Sequence, residues 1–162
     1  MPQEGNLQVV SFARSIDADD FGAVPVEMGA RGEAVELWGL HLIPGEMGVV
    51  VSQSLMVALS SNPSHELTPP GSEDAFLADR ALYGMAMARK TSHTAIGEII
   101  VPQDFVPLYG IVRPRRQILV WSFIRPAATL VFRVEIYYRP VSLNKHDLDA
   151  LNLKYGKYRR GA

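Results

Sequence analysis

Hydrophobic and polar positions alternate with a period of two along most of this chain, most clearly from Gln117 to Arg139 (QILVWSFIRPAATLVFRVEIYYR). β-branched and aromatic residues crowd its two apolar runs and suit a pleated, half-buried surface better than a helix. The break at Pro126-Ala127-Ala128 predicts two long strands joined by a hairpin. In the second run Leu130, Phe132, Val134, Ile136 and Tyr138 share one face, while Thr129, Val131, Arg133, Glu135, Tyr137 and Arg139 share the other, so one face is core and the other mixed. The first run has no polar face, since Ile118, Val120 and Ile124 alternate with Leu119, Trp121 and Phe123, as in a strand covered on both sides.

The same period predicts strands elsewhere. Leu7 to Arg14 reads as a first strand with Leu7, Val9 and Phe12 inward, and Val24 to Met28 as a short one whose Pro25 places it at a sheet edge. Gly29 to Gly32 makes a turn before Glu33 to Ile43, which reads as doubly buried, and Pro44-Gly45 suits a type II turn. From Gly48 to Ser60 the residues Val49, Val51, Leu55, Val57 and Leu59 oppose Ser52, Ser54 and Ser60, which predicts a strand with one face toward water or a neighbour. Residues 61 to 78 form a long loop and a candidate binding surface, with Ser72 placed to cap a short helix. Arg80 to Arg89, Ala95 to Val101 and Phe105 to Val112 complete about eight or nine strands. Asn144 or Ser142 caps a helix over 143–155 in which Leu148 and Leu151 pack, and 156–162 is a basic tail. The expectation is an all-β, antiparallel, jelly-roll-like sandwich in a single domain over 1–162, with a short C-terminal helix.

Composition narrows the chemistry. The chain is 162 residues with no cysteine, which removes disulfides, thiolate metal sites and cysteine nucleophiles. Lys plus Arg is 16 and Asp plus Glu 17, so no whole-chain field draws it to nucleic acid or anionic lipid. No run reaches the roughly 20 apolar residues of a membrane span, and the polar start MPQEGNLQ lacks a signal-peptide pattern, so a soluble chain made in the cytoplasm is expected.

The candidate sites each have a plainer reading. Asp17 to Gly22 opens like a calcium loop, but Phe21 at the fifth position and Met28 at the twelfth make it a solvated acidic turn. His41 with Glu46 invites a cupin-like metal enzyme, yet His65, His93 and His146 lack ligand spacing, and neither metal nor cofactor is expected. No G-x-S-x-G or G-x-G-x-x-G occurs, and no catalytic residue is assigned. Trp38, Tyr83 and Trp121 could stack on carbohydrate if exposed, although each lies in an apolar run. Two compact basic clusters remain, Arg113, Arg115 and Arg116 in one, Lys157, Tyr158, Arg159 and Arg160 in the other, both able to grip phosphates or a partner's carboxylates.

A short polar start, eight or nine strands, a Pro-rich mid-chain loop and the ending VFRVEIYYRPVSLNKHDLDALN together resemble viral single jelly-roll capsid proteins. The chain departs from many of them in lacking a long basic N-terminal arm. The resemblance implies a non-enzymatic subunit found in the virion, whose partners are copies of itself, other shell proteins and, through local basic clusters, nucleic acid. A carbohydrate- or ligand-binding sandwich is the alternative expectation.

Overall fold

The period-two segments do form strands. The computed structural model describes residues 3–4, 6–16, 20–45, 53–91, 98–124 and 130–155. Its strands are β1 (Gln3–Glu4), β2 (Gln8–Ile16), β3 (Asp20–Glu27), β4 (Ala34–Pro44), β5 (Gln53–Ser60), β6 (Leu82–Thr91), β7 (Glu98–Gln103), β8 (Phe105–Pro114), β9 (Arg116–Ile124) and β10 (Leu130–Ser142). A 3-10 turn (Pro63–Glu66) and helix α1 (Glu73–Ala78) lie between β5 and β6, and helix α2 (Lys145–Lys154) follows β10.

Two antiparallel sheets pack face to face. In the first, β10 lies between β4 and β2, with β8 beyond β4 and the short β1 beside the far end of β10. The second runs β3-β9-β5-β6-β7. The chain therefore passes repeatedly between layers, and the orders β2-β10-β4-β8 and β3-β9-β5-β6 are those of a jelly roll, an arrangement of two Greek keys. The fold class is an all-β sandwich, as the alternation implies.

The expected hairpin is not formed: β9 pairs with β3 and β5, whereas β10 pairs with β2 and β4 in the opposite sheet. Each strand is central in its own layer. Both faces of β9 are apolar because they meet different things. Leu119, Trp121 and Phe123 join the inter-sheet core with Leu37, Leu40, Leu55, Phe132, Val134 and Ile136. Ile118 and Val120 join a second cluster with Met56, Ala58 and Phe76 of α1. Trp121 is the hub of the first, stacked on Phe12 at 5.6 Å and tilted against Phe132 at 5.9 Å, with the Arg14 guanidinium 4.9 Å above its ring. Gly22, its cross-strand neighbour on β3, leaves room that a Cβ would fill.

Other expectations shift by parity or by cover. On β2 the inward set is Val10, Phe12 and Ile16, while Leu7 and Val9 are 53% and 46% exposed, because Ile16 and Phe12 fix the register. Pro25 does sit on an edge strand. The outer side of β5 is covered over most of its length: Phe76 packs on Met56 and Ala58, held by α1, whose Ser72 side chain accepts from Ala75 N as expected, and Ser54 is half-buried. β4 is interior to its sheet, but its outer face is only partly covered, leaving Trp38 40% exposed. In α2, capped by Asn144, the buried residue is Asn152 while Leu148 and Leu151 are half-buried. No described helix is long and apolar enough to cross a membrane.

Candidate functional site

One end of the sandwich gathers the finish of β5, the 3-10 turn, the β8–β9 corner and the C-terminal end of α2 around a cleft of about 170 Å³. Ser60, Ser61, Arg116, Gln117 and Tyr155 supply its polar lining. Gln117 is buried, donating from Nε2 to the carbonyls of Pro114 and Arg116 at 3.0 Å and accepting at Oε1 from the Tyr83 hydroxyl. Burial pushes the Tyr83 hydroxyl above its ordinary range, against the opposing pull of the Arg113 charge.

The first basic cluster lies at this end, and its members diverge. The Arg113 guanidinium sits over the rings of Tyr83 and Tyr155, 5.2 and 4.1 Å from their centroids, and joins β6, β8 and the end of α2. Arg115 reaches Glu27 Oε2 at 3.5 Å and the Gly29 carbonyl at 3.4 Å, bridging to the end of β3. Arg116 pairs with Glu66 and fastens the 3-10 turn to β9. Each arginine thus has an intramolecular partner, and Arg116 also faces the cleft. Lys157, Tyr158, Arg159 and Arg160 lie outside the described residues.

Beside the cleft the loop creates a constellation the sequence hides. His65 Nε2 stands 2.8 Å from Asp79 Oδ2, and its Nδ1 shares a hydrogen bond with Ser60 Oγ. A carboxylate can only accept, so the Nε2 proton faces Asp79 and Nδ1 is the nitrogen turned to Ser60. Serine, histidine and acid are connected as in a nucleophilic triad. Ser60, however, is 2% exposed, and its Oγ also accepts from Asn62 N–H at 3.0 Å. The arrangement closes the start of the loop onto its end, where Asp79 Oδ1 accepts from Ala81 N–H at 2.9 Å. The signal available in sequence was Asn62-Pro63, a cap followed by proline at the first helical position.

A second cluster lies on the outer face of the first sheet. His41 Nδ1 is 3.8 Å from Glu135 and its Nε2 3.8 Å from Asp104, beside the Phe105 ring. Among the described residues no group of three or more histidine, cysteine, aspartate or glutamate side chains is placed to hold a metal ion. Glu46 and residues 17–19 of the acidic turn lie outside the described residues, and Phe21 and Gly22 belong to β3. Phe105, 46% exposed, covers Gly39 between His41 and Tyr137. Next to it the β4–β8 register breaks between Leu37 and Gly39, so that Trp38 bulges outward. Tyr109, opposite this bulge, is 80% exposed at φ 56, a left-handed conformation uncommon for a bulky residue, and Gly110 at φ 73 follows, with the Trp38 ring over it. Of the expected aromatic candidates, Trp38 is exposed, Trp121 is in the core, and Tyr83 is half-buried against Arg113.

The chain matches no protein-family model, and no curated protein is detectably similar to it in sequence.

Proposed function

We propose that this protein is a structural subunit of a shell, of the viral single jelly-roll kind, which assembles through contacts with its own copies in the virion. The observation that carries the reading is the strand order, β2-β10-β4-β8 over β3-β9-β5-β6, an architecture that viral capsid domains share with lectins and cupins. The loop end supports a structural role, since its polar groups are spent on fastening loops: Ser60 to His65 and Asp79, Arg116 to Glu66, Arg115 to Glu27. Exposed Trp38, Phe105, Tyr109 and Val131 leave apolar area on the outer face of the first sheet, a common mark of surfaces that meet other proteins. Further partners of such a subunit are other shell proteins and nucleic acid. Multi-angle light scattering over rising concentration, with negative-stain microscopy, tests the reading. Closed or extended assemblies are expected, and a strictly monomeric chain at high concentration overturns it.

A carbohydrate-binding sandwich is the second reading, favoured by one observation. Tyr109 is held in a strained backbone conformation that presents its ring to solvent beside Trp38, and strain of this kind tends to collect at binding sites. Glycan-array binding lost in Trp38→Ala and in Tyr109→Ala, with folding retained, supports it. An array without signal removes it.

A further inference from the structure

A sheet edge exposes a row of backbone donors and acceptors, and proteins guard such edges with proline, bulges, charge or brevity. Three edges here are guarded. β3 carries Pro25 at mid-strand, β7 is six residues long and contains Pro102, and β8 contains Pro107 and the left-handed pair Tyr109-Gly110. The fourth is different. β2 runs nine residues, Gln8-Val-Val-Ser-Phe-Ala-Arg-Ser-Ile16, without proline or glycine and with a single charge, Arg14. Its register with β10 is unbroken from Tyr138↔Gln8 to Leu130↔Ile16, and among the described residues β10 is its only strand partner. Val9 is 46% exposed, and Leu7 just before the strand 53%.

We infer that the β2 edge pairs antiparallel with the β2 edge of a second copy, so that the first sheets of two subunits join into one sheet across a two-fold axis. This rests on the self-assembly reading and narrows it to one edge. The occupant follows from self-complementarity. A two-fold contact sets the same strand against itself in opposite direction. A register centred on Phe12 pairs Val9 with Ser15, Val10 with Arg14 and Ser11 with Ala13, so the strand's only charge meets an apolar residue rather than its own copy. Exposed Val9 is shielded in the same contact.

The absence of cysteine makes the test direct. Under mild oxidation the Ser11→Cys/Ala13→Cys protein is expected to form a disulfide-linked dimer on a non-reducing gel, whereas Glu27→Cys, exposed at the end of the guarded β3, is not. Val9→Lys/Ala13→Lys is expected to raise the concentration needed for dimerisation at least about tenfold in light scattering, with unchanged circular dichroism and Tm. If the wild-type chain associates but the β2 cysteines do not cross-link, or cross-link no better than Glu27→Cys, the edge proposal is overturned while the shell reading stands. If the wild-type chain is monomeric throughout, both fall.

Discussion

Asp79 Oδ2 receives a hydrogen bond from His65 Nε2 at 2.8 Å, 19 residues past Ser60 at the end of β5, and together with the Ser61 N–H bond to the Ala81 carbonyl at 3.0 Å it closes the excursion that covers the second sheet. His65→Ala removes one hydrogen bond from Ser60, which keeps Asn62, and one from Asp79, which keeps Ala81, and two such bonds are together worth about 1–3 kcal/mol. A urea titration is expected to show a loss of that size, together with faster proteolytic nicking between residues 61 and 81. The burial of Ser60 also predicts that a fluorophosphonate probe leaves it unmodified in the native protein, checked by intact mass.

Phe76 is fully buried among Met56, Ala58, Ile118 and Val120. Its truncation to alanine leaves a void beneath α1, and Phe76→Ala is expected to cost about 3 kcal/mol in urea unfolding. A loss under about 1 kcal/mol on the same principle means that the loop does not seal this side of the sheet.

Tyr83 gives a pH signature. Burial raises its folded-state pKa above the ordinary value of 10.0, so above that pH the unfolded chain has lost a proton that the folded chain keeps. More protons bound in the native state means that stability falls as pH rises, and the loss begins near pH 10. Tyr83→Phe removes the hydrogen bond to Gln117 and is expected to lower stability by about 0.5–1.5 kcal/mol at pH 7. Its urea midpoint then declines less steeply than that of wild type between pH 9 and 11. Equal slopes contradict the assignment.

Tyr109 is strained and exposed, so replacing it removes little packing. Glycine accepts φ 56 freely, and relief of left-handed strain is worth about 1–2 kcal/mol, offset in part by about 0.4–1 kcal/mol of added unfolded-chain entropy. Tyr109→Gly is expected to leave the urea midpoint unchanged or raised. A clear fall shows that the ring stabilises the isolated chain.

Much of the fold was legible because period-two alternation reports strands wherever one side is buried. Ser72 as a helix cap, Pro25 as an edge marker and Asn144 before α2 were equally local signals. What alternation does not report is what covers a face. β9 is apolar on both sides because the sandwich core meets one and Phe76 the other, a distinction absent from residues 117 to 124 themselves. The same blindness turned β9 and β10 into a hairpin, since a crossover between layers and a turn within one leave similar gaps. The site was less legible still. Arg113, Arg115 and Arg116 are adjacent in sequence but reach Tyr155, Glu27 and Glu66, partners drawn from three different elements. Ser60, His65 and Asp79 meet only after their loop has folded.

β10, the last of the described strands, is inserted between β2 and β4, the first long strand of its sheet and the second. During synthesis on the ribosome β4 can meet β8 first, but β2 waits for a partner until residues 130–142 have emerged, because among the described residues no earlier strand pairs with it. A product truncated before residue 130 has no means of completing this layer, and the β2 border then lacks the support that holds it straight. This layer is therefore closed only once residues 130–142 have been made, so the topology itself orders its construction, with the middle of the sheet laid down after both of its flanks.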